Sequence, residues 1–420
     1  PNLDFRLGAT AIEANGVVYV NGGGMRRSVA AVDAANGTLL WVHTEDEGHR
    51  AEFAPRIPSG RGVSYWTDGK GDERIIYVTT GYRLVELDAK SGSMIRTFGS
   101  DGVVDLKAGA VFGNRQPIDL ETGEIGIHAT SAIAKDTIIV GSSFREGATV
   151  NTHNNTKGVV RAFDVRTGKM IWRFNTIPKP GEFGGDSWEE NSWSFNGNTG
   201  VWTQITVDPE AGLVYLPVES PTSDLYGGHR PGNNLYGETL VAVDLKTGVR
   251  KWHFQMIHHG LWDHDNSSAS LLIDANINGQ PRKLVAQPTK QAWLYVLNRE
   301  TGEPVWPIEE RPVPKGDVPG EWYSPTQPFP VKPPPLGRVT FNYPADLAKV
   351  TPEHTAACRE FLDKYEGGRN KGPYTPPSEK GTLVIPNQGG GAEMMGGTFD
   401  PSLGYYVINI ANTGRVSTLQ

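Results

Sequence analysis

Cysteine is nearly absent from this sequence. Cys358 is the one cysteine among 420 residues, so no intrachain disulfide can form. The sequence also lacks a Cys-x-x-Cys-His motif, which excludes a haem covalently attached to it. Electrons released by a redox reaction would therefore have to pass to a separate acceptor.

Long apolar runs and a surplus of basic charge are missing too. No apolar segment reaches the ~18 residues of a membrane-spanning helix, and no signal-peptide pattern is present. The 40 Lys and Arg are outnumbered by 47 Asp and Glu, which argues against a nucleic acid or an anionic membrane as partner. Because the chain begins at Pro1 without Met and stops just after a strand-like segment, we expect it to be incomplete at both ends.

Helical periodicity is also scarce, whereas glycine and proline are abundant. The sequence contains 51 Gly and 30 Pro, with short apolar segments between turn signals. This composition is typical of many short strands joined by turns. The sequence therefore predicts an all-β fold.

A repeat with the pattern Ala-x-Asp-x-x-x-Gly-x-x-x-Trp runs along the chain. The Asp side chain can bond backbone N–H groups and the Gly can adopt a positive φ, so each copy predicts a strand, a tight turn and a second strand ending in Trp. One such unit buries too little apolar surface alone, so the sheets must pack against one another. Three full copies start at Ala31, Ala162 and Ala242, and two degraded copies are Asp88 to Arg96 and Asn298 to Trp306.

The composition changes from Pro304 to Lys371, where prolines are dense. This density rules out regular strands and predicts an extended arm. Within it, Thr351 as N-cap and Pro352 in the first turn predict a helix that ends at about Tyr365. The sequence thus predicts one domain over residues 1–420, with a Pro-rich arm and short helix inserted at about 307–375.

The most polar cluster is residues 258–265, with three His, two Asp and one Trp. From the residues alone, Asp263 is either a solvated turn carboxylate or a base. His258 and His259 are not expected to ligate one metal together, since adjacent residues of a strand point to opposite faces. They are interpreted as packing or supporting residues.

Four other positions have both a structural and a functional interpretation. Arg61, in a Gly-rich turn, is either a surface residue or a clamp for a carboxylate. Glu219, just past a strand, lies either in a solvated loop or at a Ca²⁺ site. Lys290 is either a turn residue or a donor aimed into a site. Trp202 either packs in the core or supports a flat cofactor.

Taken together, these residues resemble the pyrroloquinoline quinone (PQQ)-dependent dehydrogenases, which are eight-bladed β-propellers with tryptophan-docking repeats. The resemblance covers nearly the whole chain and is nearest to the membrane glucose dehydrogenase branch. The adjacent Cys pair of methanol and ethanol dehydrogenases is absent, which favours the sugar-type branch. The matching segments are Arg61–Tyr65, Tyr226–Pro231, His258–Asp265, Thr289–Leu297, Pro376–Ser378 and Gly396–Gly397.

The resemblance implies a role for each candidate. Asp263 would take the hydroxyl proton of the substrate while hydride passes to C5 of the quinone, and Lys290 would polarise that carbonyl. Ca²⁺, or another divalent or lanthanide ion, would be held by Glu219 and Asp263, although relatives often have Asn at the position of Glu219. The remaining residues that the resemblance places against the cofactor are Arg61, Thr130, Ser131, Trp202, Asn387 and Glu393.

The resemblance also implies a setting. The substrate would be a sugar or alcohol, the electron acceptor ubiquinone or a cytochrome, and the location periplasmic, with any membrane anchor in segments outside this chain. Five repeats cannot close eight blades, so flanking residues would supply the rest.

The alternative is a non-catalytic propeller that assists outer-membrane assembly, since such scaffolds carry the same tryptophan repeat. A scaffold protein is not expected to contain Arg61, Trp202, Asp263 and Lys290 in the order that the enzymes have.

Overall fold

The computed structural model describes residues 10–22, 26–56, 61–145, 152–394 and 396–420. Within these ranges the chain forms 25 strands and two α-helices. It divides into two compact units. Unit 1 comprises residues 1–177, 194–216 and 242–251, and unit 2 comprises residues 178–193, 217–241 and 252–420. The prediction of a fold built mainly from strands is confirmed.

Unit 1 contains three four-stranded antiparallel sheets in which neighbouring strands are consecutive in the chain. This is the topology of a propeller blade. The first sheet is β1 (Ile12–Ala14), β2 (Val17–Gly22), β3 (Arg26–Asp33) and β4 (Leu39–Asp46). The second is β5 (Ser64–Thr67), β6 (Glu73–Val78), β7 (Arg83–Asp88) and β8 (Val103–Asp105). The third is β9 (Ala132–Ala134), β10 (Thr137–Val140), β11 (Val159–Asp164) and β12 (Met170–Asn175).

A fourth sheet of the same topology has residues assigned to each unit, and four smaller sheets lie in unit 2. The fourth is β13 (Thr206–Asp208), β14 (Leu213–Pro217), β15 (Thr239–Asp244) and β16 (Arg250–Gln255). A three-stranded sheet consists of β17 (Leu271–Ile277), β18 (Gln280–Pro288) and β19 (Leu294–Asn298). The strand pairs are β20 (Ile308–Pro312) with β21 (Thr326–Pro330), β22 (Thr382–Val384) with β25 (Arg415–Ser417), and β23 (Gly397–Asp400) with β24 (Tyr405–Ile408).

The apolar cores lie between neighbouring sheets. In unit 1, Tyr19 and Ala31 of the first sheet pack with Ile75 and Val85 of the second. A second cluster joins side chains of the second and third sheets, including Ile76 and Ile138. The alternation of buried residues along each strand therefore serves two interfaces, one on each face of the second sheet.

The prediction that the Pro-rich arm contains no regular strand was wrong, because β20 and β21 form a hairpin within it. Pro312, Pro328 and Pro330 fall on alternate pairs of this ladder. Antiparallel ladders alternate between pairs that exchange hydrogen bonds and pairs that do not, so prolines spaced in this way need not remove any bond.

The helix predicted in the arm is confirmed. It is α2 (Pro352–Asp363), and the Oγ1 of its N-cap Thr351 accepts a hydrogen bond from His354 N at 3.2 Å. It ends two residues before the predicted Tyr365. A one-turn helix, α1 (His49–Glu52), was not predicted.

The repeat forms the turns that its sequence predicts. In the copy at Asp244, the carboxylate accepts hydrogen bonds from the N–H groups of Lys246 and Thr247 at 3.0 Å each. Gly248 closes the turn with φ of 67° and donates its N–H to the Asp244 carbonyl. Asp33, Asp88, Asp164 and Asn298 make the corresponding turns.

The tryptophan of each full repeat packs on the turn glycine of the following repeat. The indole of Trp252 covers Gly302, where a Cβ atom would lie 2.6 Å from the ring. Its Nε1 donates to the Arg299 carbonyl at 3.2 Å. Trp41 packs on Gly92 and Trp172 on Gly248 in the same way. The repeat therefore joins consecutive sheets as well as building each one.

We expect Gly302→Ala to destabilise the protein much more than Gly279→Ala. Gly302 and Gly279 have similar positive φ, 75° and 80°, so the backbone strain of a new Cβ is shared. Only Gly302 has the Trp252 ring against it, whereas Gly279 has no neighbouring atom within 4 Å. Overpacking should add about 1–3 kcal/mol to the loss of unfolding free energy at Gly302. Urea unfolding of the two variants measures the difference, and equal losses would refute the docking role.

Candidate functional site

Two of the predicted cofactor residues of unit 1, Arg61 and Trp202, contact His128. Arg61 donates its backbone N–H to the His128 carbonyl at 2.7 Å. The ring of Trp202 meets the His128 imidazole edge to face, with 5.7 Å between centroids. The prediction had not included His128, although it lies only two residues before Thr130.

Thr130 and Ser131 are held by the segment that carries Arg61. Gly62 approaches Thr130 so closely that a Cβ there would lie 2.6 Å from its Cγ2. Ser64 Oγ donates to the Ser131 carbonyl at 2.6 Å. Each of these candidates lies just before the first strand of a sheet: Arg61 before β5, Thr130 and Ser131 before β9, and Trp202 before β13. The structure thus brings the segments of Arg61, Thr130, Ser131 and Trp202 together, and guanidinium, hydroxyl and indole groups are the types that suit a flat, carboxylate-bearing ring such as PQQ.

In unit 2 the centre of the site is Lys290, which lies in the tight turn between β18 and β19. The Ala292 N–H closes the turn by donating to the Thr289 carbonyl at 3.0 Å. The Lys290 ammonium lies 3.1 Å from Asp263 Oδ1 and 2.9 Å from Asp265 Oδ2. Its side chain is only 6% exposed. A buried cation is therefore bound by two carboxylates that are two residues apart.

The two carboxylates have opposite proton affinities. Burial raises the pKa of Asp263 well above its ordinary value, and the charge of Asp224 adds to this. Burial also acts against ionised Asp265, but Lys290 and two hydrogen bonds from Ser220 lower its pKa to about 2. Burial opposes charge on Lys290, yet Asp265 and Asp263 raise its pKa. Lys290 and Asp265 are thus a fixed ion pair, while Asp263 can bind a proton.

The segment from Glu219 to Asp224 supports this cluster. Ser220 N and Oγ donate to Asp265 Oδ1, and Asp263 N donates to the Asp224 carbonyl at 3.3 Å. Glu219 is buried, at 2% exposure, on the same segment. In the described ranges no group of three or more His, Cys, Asp or Glu side chains is arranged to hold a metal. Nevertheless, the negative charge around Asp263 exceeds the positive charge of Lys290. Carboxylate oxygens with such an excess of charge are suitable ligands for a hard divalent cation.

Asn387 and Glu393 lie in the Gly-rich segment after β22. Glu393 Oε1 is 4.0 Å from the Lys290 ammonium. The Asn387 side-chain oxygen accepts the Gly389 N–H at 2.9 Å, which is a local turn contact. The structure therefore places Glu393 beside Lys290 and shows Asn387 forming a turn.

The adjacent histidines have separate partners, although the segment is not a strand. His258 Nε2 lies 3.0 Å from Glu310 Oε1, and His259 Nε2 lies 3.1 Å from Glu321 Oε1. The two rings face different carboxylates. His264 is buried and its Nε2 donates to the Pro386 carbonyl at 3.1 Å. Burial, with Lys290, lowers the pKa of His264 to about 4, so it is neutral at neutral pH.

Three acidic residues around Asp263 and Lys290 were not among the predicted site residues. Asp265 had a signal, since it alternates with Asp263, and Asp224 had one, since it follows the same strand end as Glu219. Glu238 had none. Burial raises the pKa of Glu238 to about 8, with Arg230 acting against this shift. Glu238 is therefore largely protonated at neutral pH and adds little charge to the cluster.

The chain matches the sequence profile of a known family from residue 2 to residue 420. That family is described as PQQ: glucose/ethanol/alcohol dehydrogenase, β-propeller domain. The chain belongs to this family. The resemblance stated from the sequence is thereby confirmed.

Among curated relatives, this quinoprotein chain is 32% identical to quinoprotein glucose dehydrogenase of Escherichia coli K12 over 390 residues. It is 30% identical to the glycerol dehydrogenase large subunit of Gluconobacter oxydans over 394 residues. These alignments cover 89% and 91% of the chain but 46% and 50% of the relatives. The chain therefore spans about half the length of these relatives.

Solved structures support the fold. A quinohemoprotein alcohol dehydrogenase of Pseudomonas putida HK5 superposes with a TM-score of 0.67 at 23% identity, over 99% of this chain and 52% of that one. A europium-containing methanol dehydrogenase gives 0.66 at 20% identity, over 96% and 63%. Within the part of the chain that the structure describes, no helix is long and apolar enough to cross a bilayer.

Proposed function

We propose that this chain forms the propeller of a PQQ-dependent dehydrogenase that oxidises a hydroxyl group of a sugar or alcohol to a carbonyl or lactone. The observation that carries the proposal is Lys290 between two carboxylates of opposite proton affinity. A fixed cation beside a proton-accepting group is what the removal of hydride and proton from an alcohol requires. Membership of the quinoprotein family supports the same reaction.

The candidate residues would hold two groups. The PQQ-binding candidates of unit 1 are Arg61, Thr130, Ser131 and Trp202. Those of unit 2 are Lys290, Asn387 and Glu393. Glu219 and Asp263 would bind Ca²⁺ or another divalent or lanthanide ion. When bound, PQQ supplies a hydride acceptor and the ion supplies Lewis acidity.

The chain's own residues then have distinct tasks. Asp263 accepts the hydroxyl proton of the substrate, because burial gives its carboxylate a raised proton affinity. Lys290 donates hydrogen bonds and positive charge where negative charge develops. Asp265 stays ionised and keeps Lys290 charged, which leaves Asp263 free to exchange its proton.

The setting of the reaction follows from the same proposal. The full propeller has eight blades, with the missing strands supplied by residues outside this chain. The protein acts in the periplasm and passes electrons to ubiquinone or a cytochrome, and any membrane attachment uses segments outside this chain.

The test is dye reduction by the purified full-length protein with PQQ and Ca²⁺, across aldoses, polyols and secondary alcohols. We expect turnover that requires PQQ, and removal of the ion with a chelator should abolish it reversibly. A protein that neither binds PQQ nor reduces dye with any substrate would refute the enzyme and leave the scaffold alternative.

A pH prediction follows from Asp224. The base must be ionised, so kcat/KM should rise as pH rises through the pKa of Asp263. Since the charge of Asp224 raises that pKa, Asp224→Asn should lower it and move the acid limb of the pH profile to lower pH. Asp274→Asn, at a carboxylate that is 71% exposed, is the control and should leave the limb in place. An unmoved limb in Asp224→Asn would show that another group limits activity at low pH.

A further inference from the structure

The Pro-rich arm contacts the segment that carries Asp263 through two histidine–carboxylate pairs of very different burial. The His259–Glu321 pair is 0% and 2% exposed, whereas the His258–Glu310 pair is 19% and 51% exposed. Glu310 lies on β20 and Glu321 in the loop before β21. The two pairs thus offer a buried contact and an exposed contact between the same two segments.

Glu321 accepts two backbone hydrogen bonds at this junction and faces the His259 imidazole. Its Oε2 accepts the Gly227 N–H at 2.7 Å. Its Oε1 accepts the Trp322 N–H at 2.8 Å and faces His259 Nε2 at 3.1 Å. A carboxylate satisfies both backbone donors because both of its oxygens are acceptors. A glutamine in its place would turn an NH₂ group toward at least one backbone N–H.

His259 has an acceptor at each ring nitrogen. Its Nδ1 lies 2.8 Å from the Gly232 carbonyl, and its Nε2 faces Glu321. A carbonyl only accepts, so Nδ1 carries a hydrogen. A hydrogen bond between Nε2 and Oε1 then needs one proton more than neutral His259 and ionised Glu321 carry. The Trp322 ring covers the imidazole, with 4.7 Å between centroids.

The backbone explains why this contact matters for Asp263. His259 and Asp263 both have left-handed conformations, with φ of 51° and 56°. Residues other than glycine keep such conformations only where their surroundings hold them. The turn is held at Gly260 by Arg230 at 2.7 Å, at Trp262 by the Thr375 carbonyl at 2.9 Å, and at Asp263 by Asp224. The His259–Glu321 contact is the first of these anchors.

We infer that Glu321 is a positioning residue of the arm, which acts through His259 to hold the turn that presents Asp263 to Lys290. The inference rests on the proposed function of Asp263. It makes the arm a part of the catalytic site, although Glu321 touches none of the proposed reacting groups. Loss of the anchor lets the His259 to Asp263 turn relax and moves the base away from its partner.

The experiment compares Glu321→Gln with Glu310→Gln in the full-length protein. We expect Glu321→Gln to lower kcat about 10- to 100-fold through misplacement of the base, with KM and the affinity for PQQ within about twofold of the parent. Glu310→Gln removes the same charge from the exposed pair and should leave kcat within about twofold, because exposed pairs contribute little. Equal effects of the two variants would overturn the inference.

Two variants at His259 separate positioning from simple packing. Glutamine places its amide nitrogen near the position of Nε2 and asparagine near that of Nδ1, while both remove the ring from Trp322. His259→Gln keeps a donor for Glu321 and should be at least ten times more active than His259→Asn, which keeps only a donor for Gly232. Equal kcat values for the two would mean that the ring merely packs.

Hydrogen exchange keeps the inference testable apart from the reaction. Without cofactor, the amides of residues 259–263 should exchange faster in Glu321→Gln than in Glu310→Gln. If Glu321→Gln does not fold, the comparison of His259→Asn with His259→Gln carries the same test. If the amides of residues 259–263 exchange at the same rate in both variants, the inference that Glu321 anchors the turn is wrong. Faster exchange in a protein without PQQ-dependent turnover keeps the anchor and refutes the proposed function instead.

Discussion

Asp263→Asn should remove nearly all PQQ-dependent turnover while the protein stays folded. Asparagine has the shape of aspartate but cannot accept the substrate proton, so kcat should fall by about 10²- to 10⁴-fold. Folding should change little, because burial and the negative charge of Asp224 disfavour the Asp263 carboxylate in the folded state. We expect an unfolding free energy within about 1 kcal/mol of the parent, since only one hydrogen bond to Lys290 is altered.

Three measurements separate loss of chemistry from loss of structure in this variant. Dye reduction reports kcat, urea unfolding reports stability, and quenching of tryptophan fluorescence reports the binding of PQQ. Asp317→Asn, at a carboxylate that is 59% exposed, is the control and should behave like the parent. An Asp263→Asn protein that keeps more than a tenth of the parental kcat would place the base elsewhere.

Lys290→Met should damage both stability and activity. Lys290 is the cation that Asp263 and Asp265 share, at 3.1 and 2.9 Å. Removing one partner of a buried ion pair leaves uncompensated charge, which costs about 3–5 kcal/mol of unfolding free energy. The loss of a preorganised donor should also lower kcat by about 10²- to 10³-fold.

Lys283 provides the control, on β18, the strand that precedes the turn of Lys290. Its ammonium lies 3.6 Å from Glu300, and both side chains are about half exposed, at 52% and 53%. Lys283→Met should therefore cost less than about 1 kcal/mol. Urea unfolding and dye reduction should be measured for both variants. Similar stability losses would mean that Lys290 is not the cation that holds the two carboxylates together.

Asp263→Asn and Lys290→Met also test whether Asp263 and Asp265 have different roles. Asp263→Asn leaves the Lys290–Asp265 ion pair and its Ser220 hydrogen bonds in place, so it should affect chemistry more than folding. Lys290→Met breaks that pair, so it should affect both. The opposite ranking of the stability losses would assign the fixed partner of Lys290 to Asp263.

Local features of the fold were predictable because their chemistry lies within a few residues. The Asp244 carboxylate bonds N–H groups two and three residues ahead, and Gly248 closes the same turn. Thr351 caps α2 through a residue three positions on. The hairpin in the Pro-rich arm was missed because its ladder pairs residues up to 22 positions apart, such as Ile308 with Pro330.

The features of the candidate site were also predictable only where they depend on the local sequence. The sequence showed the residue types of the site and their order, with Asp263 in a polar cluster and Lys290 after a strand. This pattern indicated the family. The opposite proton affinities of Asp263 and Asp265 could not be predicted from the sequence. They depend on burial, on Asp224 and on Ser220, which is 45 residues from Asp265.

The sequence by itself determined the repeated turn, the helix cap and the residues available for chemistry, since side-chain hydrogen bonds to nearby backbone need no distant partner. Only the tertiary structure decided where each tryptophan docks, which carboxylate fixes Lys290 and which arm residue faces His259. Those contacts join residues tens of positions apart. They exist because packed sheets bring such residues together and exclude water from between them, and no local pattern specifies that arrangement.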